Sequence, residues 1–278
     1  MRAARAGRRG TSVLGSRTLH STPIAMQPSL AAFRAALASL VSSRALKLAV
    51  GPIVVLLIAG AVFLGLPLVM LMTGVVPPWV QALYGGAGGI AQTLLVVLYQ
   101  LALILLVALW SMPGAVAQIA ADYPAAGPAS DAVSGQRGAM AHYIGTYIVL
   151  CALIQFLGTV PLLYGVANLA AQGWLAMRLM PYLALRKRAS AGELAALTKG
   201  WRLSFAGVAM AGVVLSGLIA AAISAAIALL MPGPAAFAGV TIGRVLGMLF
   251  LVYWFAHLSL RTLATMRGAA AGAGPALP

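Results

Sequence analysis

The side chains able to do acid–base, nucleophilic or metal chemistry are few here and lie far apart. Three acids (Asp122, Asp131, Glu193), three histidines (His20, His142, His257) and one cysteine (Cys151) are all that the 278 residues hold. Metal-dependent catalysis needs such groups gathered at ligand spacing, and no two of these fall within one helical turn of each other. There is no HExxH pair, no GxSxG nucleophile elbow and no Walker A sequence. Gly86 to Ala91 fits the letters GxGxxA, but the run follows no strand pattern and opens an apolar stretch, so dinucleotide binding is not inferred. Cys151 has no second cysteine with which to form an intramolecular disulfide. The sequence predicts no catalytic residue, no metal and no cofactor.

What remains is polarity inside apolar runs: Gln92, Gln100, Gln155, Asn168, Gln172, Ser216, Ser224 and His257. Such groups hydrogen-bond between helices for about 1 kcal/mol or less each, or they line a solute path. A path predicts that Gln92, Tyr99, Gln100, Gln155 and Asn168 converge on one cavity, with Arg244 at its outer mouth. Tyr99 and Gln100, adjacent in mid-run, are the strongest pair. His257 stands one turn before Arg261 and predicts a contact with lipid headgroups.

The elements that must position these residues follow from composition. Hydrophobic residues make up 62% of the chain and charged ones 8%, against about 25% in a soluble domain. The mean hydropathy is +1.01. The expected class is an all-α polytopic membrane protein. About 20 apolar residues cross roughly 30 Å of hydrocarbon, which gives spans at 48–72, 90–110, 143–157, 162–185, 205–231 and 239–260. The uncharged stretch between His142 and Arg178 is too long for one crossing, and Gly158 and Pro161 offer a turn. With six spans, 17 of the 18 basic residues share one side and only Arg244 falls on the other, as cytoplasmic enrichment of Lys and Arg requires. Both termini are then cytoplasmic. The net charge of +15 flanks apolar runs instead of forming one stripe, so it does not indicate nucleic acid. Arg178, inside the fourth span, is expected to snorkel to the interface.

Residues 1–25 are basic and free of acid. They fit a mitochondrial transit peptide, with the region around Arg17 to Thr22 suiting a processing site, or else they are untranslated residues ahead of a true start at Met26 or a disordered basic arm. The Ala/Gly-rich character throughout favours the second, and with it a bacterial inner membrane over a mitochondrial inner one. The membrane domain is expected over 26–267 and a disordered tail over 268–278. Segment 29–47 reads as one basic amphipathic helix, and 190–205 as another with a Ser190/Glu193 capping box. Segment 111–142 reads as the largest hydrophilic loop. Gly207/Ala211, Gly212/Ser216, Gly217/Ala221/Ala225 and Gly243/Gly247 are small-xxx-small pairs that predict close packing of the last two spans. Trp79, Trp110 and Trp201 fall where an aromatic belt would lie.

The stretch from Gly173 reads GWLAMRLMPYLALRKRASAGELAALTKGWRLSFAGV. Through Arg178, Pro181, Leu197, Thr198, Lys199, Gly200, Trp201 and Arg202, it resembles the YciC-like bacterial six-helix membrane proteins. It also resembles the membrane domain attached to some glycerophosphodiester phosphodiesterases, and is similar to the CysZ family of sulfate permeases, whose ending differs. The resemblance covers about a fifth of the chain. It implies a six-helix membrane fold without a catalytic residue, and no phosphodiesterase activity. Two functions are open. One is a structural, interaction or membrane-homeostasis protein that binds anionic lipid on its cytoplasmic face through Arg34, Arg44, Lys47, Arg186, Lys187, Arg188, Lys199 and Arg202, with a homo-oligomer or a protein as partner. The other is a transporter or channel for a small, anionic solute. Neither reading is enzymatic.

Overall fold

The computed structural model describes residues 26–62, 88–129, 137–157, 160–230 and 235–272, with isolated positions between 70 and 78. These are helical, and no strand occurs among the described residues. The helices are α1 (Met26–Leu40), α2 (Ser43–Gly60), α3 (Gly88–Ile119), α4 (Arg137–Ile154), α5 (Pro161–Leu185), α6 (Ala191–Gly200), α7 (Arg202–Leu230) and α8 (Ala235–Gly272). Five segments are long and apolar enough to cross a membrane: Ser43–Gly60, Leu98–Asp122, Gly138–Leu157, Arg202–Leu230 and Ala238–Ala269. The chain is therefore of the multi-pass membrane type. Helix α5 has the length, 25 residues or about 37 Å at 1.5 Å each. It carries Asn168, Gln172 and Arg178, which lower its mean hydropathy below that of the five.

Local chemistry sets the breaks. The expected single helix over 29–47 is two, because the Ser42 side chain accepts from the Ala45 amide and starts α2 afresh. Such a cap satisfies one of the orphan donors of a helix start. The expected loop over 111–142 is helical to Ile119, and two short 3-10 turns, Ala120–Asp122 and Pro124–Ala126, follow. Pro113 is accommodated inside α3. Between α4 and α5 the chain passes through a 3-10 turn, Gln155–Leu157, and Pro161 opens α5 at the helix position that tolerates its missing N–H. The Ser190/Glu193 capping box is formed: Ser190 Oγ accepts from the Glu193 amide, and Glu193 accepts from the Ser190 amide at 2.9 Å. Residues 268–272, expected in the disordered tail, are the last turn of α8.

Helix α8 is the hub. It packs on α7, α1, α3, α5 and α2 and on the 3-10 turn Pro124–Ala126. Of its membrane-length segment, 72% is buried, against 17% for those of α4 and α7, which therefore form the periphery. The α7/α8 contact is made through glycine. A Cβ at Gly243 would lie 2.6 Å from the Ala220 carbonyl oxygen, and one at Gly247 would collide with the Ser216 carbonyl. Backbones approach this closely only where side chains are absent. The other small pairs on α7 do not pack: a Cβ at Gly207 or Gly217 meets nothing within 4 Å.

Candidate functional site

Four helices line a half-open cavity of about 440 Å³ in the half of the bundle away from the basic loops. Gln100, Leu103 and Ile104 of α3 line it, with Gln172 of α5, Ser216, Gly217, Ala221 and Ser224 of α7, and Val240, Arg244 and Met248 of α8. The absent side chain at Gly217 leaves space, and Ala221 continues it. The α7 pairs expected to pack thus make a wall instead.

Arg244 is the chemically distinctive member. No hydrogen bond or ion pair to its guanidinium occurs among the described residues. The described acids are Asp122, in the 3-10 turn after α3, and Glu193, in the first turn of α6, both toward the opposite end. Around it the lining is polar but uncharged. Gln172 Nε2 donates to Asn168 Oδ1 at 3.4 Å, one helical turn back. The Ser216 hydroxyl donates to the Val213 carbonyl at 2.9 Å, and that of Ser224 to the Ala220 carbonyl at 2.6 Å. Tyr99 OH lies 3.4 Å from Thr241 Oγ1, one turn before Arg244, and joins α3 to α8 beside the cavity. Toward the basic end the lining gives way to the apolar core. Val107, Leu175, Leu179, Leu249 and Phe250 belong to the continuous apolar core there, each 1% exposed or less.

Of the residues expected on a solute path, Gln100 and Arg244 meet in the cavity. Asn168 joins through Gln172, and Tyr99 flanks it through Thr241. Gln155 does not join them: its amide donates to the Cys151 carbonyl of its own helix at 3.2 Å. The side chain of Gln92 lies outside the described residues. Sequence reasoning left Gln172, Ser216 and Ser224 as generic span polarity. Their i, i+4 and i, i+8 spacings place each pair along one helix face, but no sequence period says which helix that face meets.

At the basic end, Arg34, Arg44, Lys47, Lys187, Lys199 and Arg202 are exposed, and Arg186 and Arg188 half-buried. Arg188 Nη1 donates to the Ala126 carbonyl at 2.9 Å, tying that side chain to the 3-10 turn. The headgroup contact expected of His257 is overturned. The ring is 4% exposed, with Nε2 3.1 Å from Ser39 Oγ and Nδ1 3.1 Å from Tyr123 OH. It therefore cross-links α1, α8 and the turn after α3. Among the described residues no three of His, Cys, Asp or Glu stand close enough to share a metal ion. Comparison with family models, curated proteins and solved structures finds no match to this chain.

Proposed function

We propose that this chain is a multi-pass membrane protein that binds a small anion in the Arg244 cavity and passes it across the bilayer. One observation carries the reading: a guanidinium within a membrane-length helix lines a cavity with amides and hydroxyls and has no acidic neighbour among the described residues. Charged side chains within membrane-length helices are rare, and those that occur usually face cavities or water where they serve solutes. A solute bearing negative charge pairs with the guanidinium there.

In this reading α2, α3, α4, α5, α7 and α8 are six crossings and α1 and α6 lie at the interface. The basic end with both termini faces the cytoplasm of a bacterial cell, so the cavity opens outward. The apolar core beneath it is the closed gate, and passage requires an alternate packing of α8 against α3 and α5. The competing reading, a scaffold held by anionic lipid, draws on the basic face alone. Membrane topology already requires that asymmetry.

The test is solute entry into proteoliposomes, followed by stopped-flow light scattering with chloride, sulfate, small carboxylates, glycerol and amino acids. The expected result is saturable entry of a small anion that falls at least about tenfold in Arg244→Gln, since a hydrogen bond to a charged group is worth about 1.5–3 kcal/mol. Entry unchanged by Arg244→Gln, or none above protein-free liposomes with folded protein, overturns the proposal.

A further inference from the structure

From the hydrogen-bond inventory of the Arg244 cavity we infer that its ligand is a monoanion bearing its own hydrogen-bond donors, a small hydroxylated carboxylate. This inference rests on the anion-site reading above and narrows the substrate class.

The charge argument comes first. Arg244 supplies one positive charge, and the other lining residues are neutral. Inside low-dielectric surroundings a one-to-one pair leaves no net charge, whereas a dianion would leave one uncompensated negative charge and its desolvation cost. A single carboxylate also matches the planar, forked guanidinium, which accommodates two parallel N–H···O bonds.

The remainder of the lining then asks for something a bare carboxylate lacks. A serine hydroxyl has one proton and two lone pairs. That of Ser216 is given to the Val213 carbonyl and that of Ser224 to the Ala220 carbonyl, with the Gly239 carbonyl at 3.4 Å, so in this arrangement both oxygens offer lone pairs to a ligand. Gln172 uses one amide N–H on Asn168, and its carbonyl oxygen stays an acceptor. Gln100 adds a further amide oxygen. The donors left are the guanidinium and amide N–H groups. A carboxylate satisfies those, and the serine oxygens are placed to accept from a ligand O–H. An ammonium group would meet the same acceptors, but no described acid lies near to balance a second cation, so a hydroxyl fits better. The volume of about 440 Å³ holds an acid of a few carbons together with water at roughly 30 Å³ a molecule.

Lactate and propionate differ by one hydroxyl at equal charge and similar size, and they make the test. Binding of each to the purified full chain in lipid nanodiscs is measured by equilibrium competition, with sulfate as the dianion. The expectation is that lactate binds about tenfold more tightly than propionate, the scale of one net hydrogen bond with its partners otherwise left unpaired. In the double variant Ser216→Ala/Ser224→Ala the ratio falls toward one. A size-exclusion profile and melting temperature matching the unsubstituted chain show that the double variant is folded. Equal binding of lactate and propionate, with both lost in Arg244→Gln, overturns this inference and leaves the anion cavity standing. Preference for sulfate overturns the charge argument. Carboxylate binding that is absent, or indifferent to Arg244→Gln, overturns both.

Discussion

Arg267 Nε donates to Glu193 Oε1 at 2.8 Å and Nη2 to Glu193 Oε2 at 3.0 Å, a forked pair. The same guanidinium donates to the carbonyls of Gly127 at 2.8 Å and Arg188 at 2.7 Å. One side chain thereby fastens the end of α8 to the start of α6, to the loop before it and to the turn after α3. Its Arg267 partner holds the Glu193 carboxyl below the usual carboxylate range, with the Ser190 amide assisting against burial. Because the folded value is the lower one, this stabilisation is present above the ordinary glutamate pKa of about 4.3 and is lost as pH falls below that and through the lower folded value. Thermal melts of the detergent-solubilised protein at about pH 7 and about pH 3 should therefore show a drop on acidification that Glu193→Gln reduces. Arg267→Ala should lower the melting temperature at neutral pH more than Glu193→Gln does, since it strands backbone acceptors as well as the carboxylate. Equal effects of the two variants would mean that the carbonyl contacts contribute nothing.

Between elements, the decisive contact is α7 against α8. The opposing atoms at Gly243 and Gly247 are backbone of Ala220 and Ser216, which cannot move aside as a flexible side chain can. Gly247→Val should cost at least about 3 kcal/mol, the upper end of overpacking, and reduce folded yield, whereas Gly217→Ala should leave stability unchanged. Size-exclusion profiles and melts of the two variants decide it, and an intact Gly247→Val would show that the helices sit farther apart. This contact also marks how far the sequence could be read. The small-residue pairs of α7 look alike in one dimension, yet only the Gly212/Ser216 face packs, because periodicity names a face and not its neighbour. The capping box at Ser190 was legible, being local. The Ser42 cap was equally local, but the apolar period running through 29–47 masked it. Gln100, Gln172 and Arg244 are separated by 72 residues each time, and their meeting depends on how four helices close. His257 misled because its neighbour Arg261 is near in sequence, while its real partners, Ser39 and Tyr123, are 218 and 134 residues away.

At the scale of the whole molecule, charge separates along one axis. The exposed cations at Arg34, Arg44, Lys47, Lys187, Lys199 and Arg202 lie at one end, and Arg244 lies toward the other. Cys151 is the single native cysteine and can be replaced by serine, so one-cysteine variants can report sidedness. In intact cells a membrane-impermeant maleimide should label Val160→Cys, at the turn before α5, and leave Ala196→Cys on α6 unlabelled until the cells are opened. Labelling of both from outside would remove the six-crossing topology.

The length of α8 carries a mechanical meaning. Its 38 residues make a rod of about 57 Å, nearly twice the hydrocarbon thickness. Arg244 and Arg267 ride on that rod 23 residues apart, about 35 Å. A rotation or slide of the rod that relaxes the wall of the cavity also strains the Glu193 fork at the far tip. If the proposed anion moves α8 as one body, its occupancy would be felt as tension at the Glu193 fork about 35 Å away, and a grip on α6 would brake the cavity.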